Sequence, residues 1–315
     1  MFLENRLICI CGPTASGKTA LSIALAKQLH TEIISADSMQ IYREMDIGTA
    51  KATPEEQAQA VHHMIDFLDP RETFSVARYV DMADRCAQDM LARGSIPIVV
   101  GGTGLYIDSL IRCDAFSGEE TDLVIREKYQ KMALEEGNEA VHNCLQAVDP
   151  VSAQRLHPNN LKRVIRALEV FEQTGLTIDA FNHQNQRSEP KYKAVKFALC
   201  PSKRELLYER INKRVDSMLE HGLLEETRKL YEEGKLVGTA AQAIGYKELA
   251  DHLFRGAPLN ECIELLKQRS RNYAKRQLTW FRRDPDMHWL YYDSAAEFPD
   301  ILQQSTKILY SEGIE

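Results

Sequence analysis

Eight residues near the start of the chain, Gly12, Pro13, Thr14, Ala15, Ser16, Gly17, Lys18 and Thr19, have the types and spacing of a polyphosphate cradle. The glycines let the loop curl so that successive N–H groups point inward, and the helix that follows adds the positive end of its dipole. Lys18 is suited to neutralising a diphosphate, and Thr19 to offering its hydroxyl to a phosphate-bound Mg²⁺. An apolar run at 7–11 precedes the loop and a helical pattern starts at Ala20, which is the strand–loop–helix context such a loop needs. The loop predicts a polyphosphate ligand and leaves the reaction open.

A second run, 32–35, is followed by Ala36-Asp37-Ser38-Met39-Gln40. A carboxylate at a strand end opposite the phosphates can take the proton from an attacking O–H or N–H. Asp37 can equally cap a turn, and Ser38 and Gln40 fit either an acceptor's polar edges or that same turn. A third run, 96–100, ends in Gly101-Gly102-Thr103-Gly104. Many phosphate-loop NTPases carry a Mg²⁺-holding Asp at such a strand end. Its absence argues against a motor-type or GTPase-like hydrolase, while the glycines admit either a close ligand or tight packing.

Two basic groups complete the inventory. Lys162, Arg163 and Arg166 share one helical face, which reads as a solvated face or as a phosphate contact. Between 267 and 283 there are seven Lys/Arg and no Asp or Glu; Arg269, Arg276 and Arg283 recur every seven residues, with Tyr273, Gln277 and Trp280 on an adjoining face. Cations beside aromatics are the ingredients of RNA recognition, and a core-facing aromatic stripe with a solvated back is the alternative.

The elements that must position these residues follow from the patterning. Over the first ~115 residues, short β-like runs alternate with helical spacing, as in Val76, Tyr79, Val80, Ala83, Ala87, Met90 and Leu91 between a Ser75 cap and a Gly94 stop. That alternation predicts a parallel sheet covered on both faces, with ligands beyond the carboxyl ends of its strands. Gly12, Asp37 and Gly101 all fall at that edge. Strand signal vanishes across 116–189, where helices are expected at 122–137, 138–148 and 161–175. The polar stretch 182–193 reads as a linker. A strand at 195–199, helices at 203–220, 223–234 and 259–283, and a last strand at 289–292 return the chain to its core. The reading is an α/β core made of 1–115 and 190–315 with a helical insertion at 116–189.

The 315 residues are 44% hydrophobic and 27% charged, the make-up of an ordinary globular protein. No apolar run reaches the ~20 residues of a membrane span, and the seven scattered cysteines lack disulfide or metal-ligand spacing. A cytoplasmic protein is expected. The formal charge of −7 argues against nucleic acid until the basic stripe is considered, because a local stripe focuses potential on an acidic molecule.

Taken together, GPTASGKT (12–19), IISADSMQIYREMDIGTAK (33–51), HHMIDFLDP (62–70), PIVVGGTGLYI (97–107), HPNNLKRVIRALEV (157–170), AIGYKE (243–248) and RQLTWFRRD (276–284) resemble the bacterial tRNA dimethylallyltransferase family over nearly the whole chain. The resemblance implies a kinase-like P-loop α/β core, a helical insertion that grips the tRNA anticodon stem-loop, and a monomer. It also implies transfer of a dimethylallyl group from dimethylallyl diphosphate to N6 of the adenine 3′ of the anticodon, in tRNAs reading codons that begin with U, with Mg²⁺ as cofactor. By resemblance, Asp37 is the general base, Thr103 lines the transfer site, and Arg214 joins Lys18 on the diphosphate. Also by resemblance, Asp37, Ser38, Met39, Gln40, Thr103, Lys162, Arg163, Arg166, Gln242, Gly245, Lys247, Lys275, Arg276, Gln277, Trp280 and Arg282 face the tRNA, with Arg126 a looser match. A small-molecule kinase binding ATP in the same loop, an isopentenyltransferase acting on free adenine nucleotides and a non-catalytic RNA-binding module are the competing readings. The first two leave the basic stripe without a purpose, and the third leaves Lys18 and Asp37 without one.

Overall fold

The computed structural model describes residues 5–113, 123–185 and 189–314. The chain divides into two units, one made of 1–113 with 190–315 and the other of 114–189.

The first unit is built on a six-stranded, all-parallel sheet in the order β3-β2-β4-β1-β5-β6. Its strands are β1 (Arg6–Cys11), β2 (Ile33–Ser35), β3 (His62–His63), β4 (Ile98–Val100), β5 (Lys193–Cys200) and β6 (Met287–Tyr291). The helices between them are α1 (Lys18–Gln28), α2 (Pro54–Gln57), α3 (Val76–Ala92), α4 (Gly104–Arg112), and then, numbering through the chain, α10 (Arg204–Glu220), α11 (Leu223–Glu232), α12 (Tyr246–Arg255), α13 (Leu259–Phe281) and α14 (Phe298–Ser311). The remaining five, α5 (Leu123–Glu136), α6 (Asn138–Val148), α7 (Pro150–Arg155), α8 (Leu161–Thr174) and α9 (Ile178–Asn185), belong to the second unit.

β1 reads as an unbroken apolar run because both its faces are covered. Leu7, Cys9 and Cys11 point to the core shared with α3 and α4, whereas Ile8 and Ile10 point to the core shared with α1 and α14. Both strand cysteines are fully buried, and burial pushes the Cys9 thiol up to about 12, which makes it a packing residue. The helices after β1 and β4, two adjacent strands, leave toward opposite faces of the sheet. Such a divergence opens a crevice beyond the strand ends.

α3 begins where its hydroxyl cap lies: the Ser75 side chain accepts from Arg78 N at 3.1 Å, and Gly94 adopts φ +80° just past the end. β3 and α12 carry no clear sequence signal, and α14 was not expected although a Ser294–Glu297 capping box precedes it. The stretch 182–193 is only partly a linker. α9 runs to Asn185, residues 186–188 lie outside the described residues, and β5 starts at Lys193. Between them Tyr192 is buried, and the Asp84 carboxylate on α3 accepts from the Tyr192 hydroxyl (2.6 Å), the Lys191 ammonium (2.6 Å) and the Cys113 thiol (3.6 Å). Tyr192 N also donates to Ile111 O at 3.1 Å, so the points where the chain leaves and rejoins this unit lie side by side.

In the second unit α5, α6, α7 and α8 enclose their own apolar centre of Tyr129, Val141, Leu145, Ala153, Val164, Ile165 and Leu168. Asp149 caps α7 by accepting from Ser152 N at 3.0 Å, and Gly175 ends α8 at φ +73°.

Candidate active site

The phosphate loop between β1 and α1 takes its shape from two glycines. A Cβ on Gly12 (φ +136°) would lie 2.4 Å from Leu199 O, and one on Gly17 (φ +81°) would lie 2.0 Å from the Tyr292 hydroxyl. That hydroxyl donates to Ser16 O at 2.9 Å, so the strand end of β6 holds the loop from behind. The Ser16 side-chain hydroxyl is fully buried and has no hydrogen-bond partner among the described residues. An orphaned donor in such a loop asks for an acceptor, and a phosphate oxygen supplies one.

Lys18 donates to Pro13 O at 2.7 Å. Burial and the neighbouring Arg214 guanidinium together bring its ammonium down to about 8, with Asp37 opposing them. Arg214, from α10, donates to the Thr14 hydroxyl at 3.3 Å, and burial lowers its own pKa. Two cations held this close repel each other and gain when an anion is placed between them.

Asp37 follows β2. Its Oδ1 accepts from Met39 N at 2.9 Å and more weakly from Gln40 N at 3.4 Å, a local turn that fixes the carboxylate. The turn and the base are therefore not exclusive readings: the turn holds one oxygen, and the carboxylate as a whole lines the cavity. Ser38 N donates to the Thr103 hydroxyl at 3.2 Å, and Gln40 Nε2 donates to Thr49 O and Ala50 O.

The glycine-rich turn after β4 turns out to be close-packed by the protein itself. Added Cβ atoms on Gly101, Gly102 and Gly104 would meet Ala36 O at 2.1 Å, Gln277 Nε2 at 2.0 Å and Trp280 Cδ1 at 2.2 Å. Gln277, 5% exposed, is the joint: its Nε2 donates to Gly102 O at 3.0 Å and its Oε1 accepts from Thr14 N at 2.9 Å. Trp280 donates to Asp108 at 2.8 Å.

One cavity of about 380 Å³ collects these groups. Thr14, Ala15, Ser16, Gly17, Lys18 and Thr19 line one end, with Asp37, Ser38, Met39, Gln40 and Arg214 around it and Gln242, Gly245, Arg276 and Gln277 beyond. Sequence reasoning missed its apolar wall of Ile211, Val215, Met218, Leu223 and Leu266, contributed by α10, α11 and α13. Their helical spacing is that of any core face, so nothing in the pattern set them apart. Tyr273 also lines the cavity, and burial followed by the Asp37 charge raises its phenol.

Other candidates lie elsewhere. Gly12, Pro13 and Thr103 support the cavity from just outside its lining, and Lys247 is exposed on α12. The basic stripe divides. Lys267 pairs with Asp216 at 2.7 Å, Arg269 pairs with the buried Glu248, and Arg271 donates to Asn212 at 2.7 Å. Arg269 is thus a fastener between α12 and α13 and not part of an exposed seven-residue repeat. Arg276 and Arg283 sit over the Tyr273 and Trp280 rings, while Lys275 and Arg282 lie on the opposite face of α13 from the cavity. In the second unit Lys162 and Arg163 are exposed, and Arg126 and Arg166 both donate to the fully buried Glu169, at 2.9 and 3.1 Å.

The family model for IPP transferase matches residues 40–284, and that for isopentenyl transferase matches 5–71. The chain is 46% identical over 312 residues to a tRNA dimethylallyltransferase of Carboxydothermus hydrogenoformans, covering 99% of each. The chain belongs to the IPP transferase family. Solved IPP transferase relatives share the fold. The tRNA isopentenylpyrophosphate transferase of Bacillus halodurans aligns with a TM-score of 0.71 at 42% identity, over 98% of both chains. A eukaryotic dimethylallyltransferase described as acting on tRNA aligns at 0.82 and 31% identity, over 98% of this chain and 79% of its own. Among the described residues no group of three His, Cys, Asp or Glu forms a metal cage. A divalent ion in this IPP transferase would therefore take its ligands from the substrate's oxygens and the Thr19 hydroxyl, the sparse protein ligation that Mg²⁺ tolerates.

Proposed function

We propose that the cavity seats dimethylallyl diphosphate, with the diphosphate in the 12–19 loop and the five-carbon tail against the wall of Ile211, Val215, Met218, Leu223 and Leu266. The chain is a tRNA dimethylallyltransferase, a prenyl transferase. The acceptor we infer is N6 of the adenine 3′ of the anticodon. Its nitrogen attacks the allylic carbon as the bond from that carbon to the diphosphate oxygen breaks, and Asp37 takes the nitrogen's proton. Lys18, Arg214 and the loop's N–H groups stabilise the charge that grows on the departing diphosphate. Thr19 would hold a Mg²⁺ whose positive charge adds to that stabilisation. An adenine in a loop leaves its stack at a cost of a few kcal/mol, which makes it a fit target for so enclosed a pocket. We place this activity in the cytoplasm, on a monomer.

A single observation supports this reading best: the phosphate loop, the Asp37 carboxylate and an apolar wall line the same cavity. A kinase for small molecules has no use for a greasy surface beside its transferred phosphate. Nucleoside mass spectrometry on tRNA incubated with the enzyme and dimethylallyl diphosphate tests it, with labelled ATP in a parallel reaction. A dimethylallyl mass gain on the adenosine beside the anticodon is expected. Label passing from ATP to an acceptor, with no such gain, would replace the transferase by a kinase.

A further inference from the structure

A second cavity of about 520 Å³ lies on the other face of α13. Lys275, Leu278, Thr279 and Arg282 line it from one helical stripe, spaced three, one and three residues apart, whereas Leu266, Ser270, Tyr273 and Gln277 line the catalytic cavity from the opposite stripe. One helix width, about 10–12 Å, separates the two. The start of α10 supplies Arg204 and Tyr208, and the end of β6 supplies Tyr291.

Three properties of this groove point to a ligand. Arg204, Lys275 and Arg282 are all exposed, and no ion pair engages any of them among the described residues. Elsewhere on α13, Lys267 and Arg269 are neutralised by acidic neighbours. Tyr291 is 52% exposed and lies nearly parallel to the Trp289 ring behind it, with centroids 6.0 Å apart and planes at 15°. A phenol ring so backed is a ready platform for a flat partner. The Asp293 carboxylate is occupied by Ser202, from whose N–H and hydroxyl it accepts at 2.8 and 2.5 Å.

We propose that this groove seats a second nucleotide of the acceptor RNA, its phosphate on Arg204, Lys275 and Arg282 and its base against Tyr291. The inference rests on the tRNA reading above and deepens it, adding Arg204, Tyr208 and Tyr291 to the surface that meets the acceptor. On this proposal, a strand that delivers one base into the catalytic cavity continues across the exposed ridge of α13. Arg276 and Arg283 stand on that ridge, and the groove is what the strand meets on its far side. Phosphate contacts fix register and stacking is indifferent to base identity. The groove therefore holds the strand in place without reading its sequence.

The test compares wild type, Arg204→Ala, Tyr291→Ala and Tyr291→Phe for tRNA binding across a salt series, for KM and kcat with tRNA, and for binding of inorganic diphosphate. In Tyr291→Ala the tRNA KM is expected to rise roughly tenfold, as loss of one stacked base implies, and Tyr291→Phe, which keeps the ring, should restore it. In Arg204→Ala the slope of log affinity against log salt should fall by about 1. kcat at saturating tRNA, diphosphate binding and melting temperature should stay at wild-type values throughout. Wild-type tRNA affinity and salt slope in both alanine variants would overturn the proposal. So would weakened diphosphate binding with tRNA affinity intact, which would make the groove a small-anion site. A wild-type enzyme that neither binds nor modifies tRNA would overturn the underlying functional reading, and this proposal with it.

Discussion

Lys18 and Asp37 come from loops after different strands; the fold tunes the first and a local turn positions the second. Burial and Arg214 bring the Lys18 ammonium down to about 8. Diphosphate affinity of the free enzyme should therefore fall as pH rises through about 8, because deprotonation there removes one of the two cations. Titration calorimetry with inorganic diphosphate from pH 6.5 to 9.5 checks this, and an unchanged affinity across that range would mean Lys18 keeps its proton. The effect on stability has the opposite sign. Between about 8 and the ordinary ammonium value the unfolded chain binds a proton that the folded cavity has released, so this group's contribution to stability rises with pH in that window. Asp37→Asn preserves the turn's oxygen acceptor and removes the base. Turnover should fall roughly 10²–10⁴-fold with diphosphate binding intact; wild-type kcat in this variant would move the base to another group. The sequence marked both residues through their strand-end positions. It could not mark the apolar wall, because a Leu or Ile that lines a cavity has the same helical spacing as one that fills a core.

At the scale of elements, the turn after β4 shows where local reading leaves two roles open. Gly101, Gly102 and Gly104 admitted either a close ligand or tight packing, and both hold: Ala36, Gln277 and Trp280 pack against them while Gly101 and Gly102 also line the cavity. The glycines let α13 and the β2 loop come close enough to tie two ligand-facing loops together. Gln277 is the tie, since its amide satisfies Thr14 N in the phosphate loop and Gly102 O in the glycine turn. Gln277→Ala should cost about 1–3 kcal/mol of stability by leaving both backbone groups without a partner. It should also weaken diphosphate binding, because the cradle loses its brace. Chemical denaturation read beside calorimetry measures both, and a stable variant with unchanged binding would show that the loops hold their shape unaided. α12 and α14 escaped sequence reading for a different reason. α12 starts after a Gly245 cap with no hydroxyl, and its Glu248 is held by Arg269 from α13, a contact the local sequence does not announce; α14 follows a local Ser294–Glu297 capping box that the sequence reading passed over.

At the scale of the whole molecule, the arrangement is a parallel-sheet unit interrupted by a helical one with its own apolar centre. Ile111 and Tyr192, joined by a backbone hydrogen bond, bring the interruption's two ends together. Replacing 114–189 with a short flexible linker should therefore leave a folded sheet unit that binds diphosphate with wild-type affinity. Its tRNA affinity should drop by at least tenfold, since Arg126, Lys162, Arg163 and Arg166 leave with the helices. Filter binding with tRNA and calorimetry with diphosphate separate the two outcomes, and full tRNA affinity in the excised protein would remove the insertion from RNA recognition. The formal charge of −7 conceals this division of labour, because charge acts over about a Debye length and not over a whole surface. By itself the sequence determined the parallel α/β core, the phosphate loop and the strand-end position of Asp37, all of which are local: periodicity, a turn motif and a residue after an apolar run. Only the tertiary structure decided which cations stay free, since Lys267 and Arg269 meet Asp216 and Glu248 from other helices while Lys275 and Arg282 pair with no carboxylate among the described residues. It also decided that α13 separates two cavities, because the depth of a pocket depends on elements far apart in the chain.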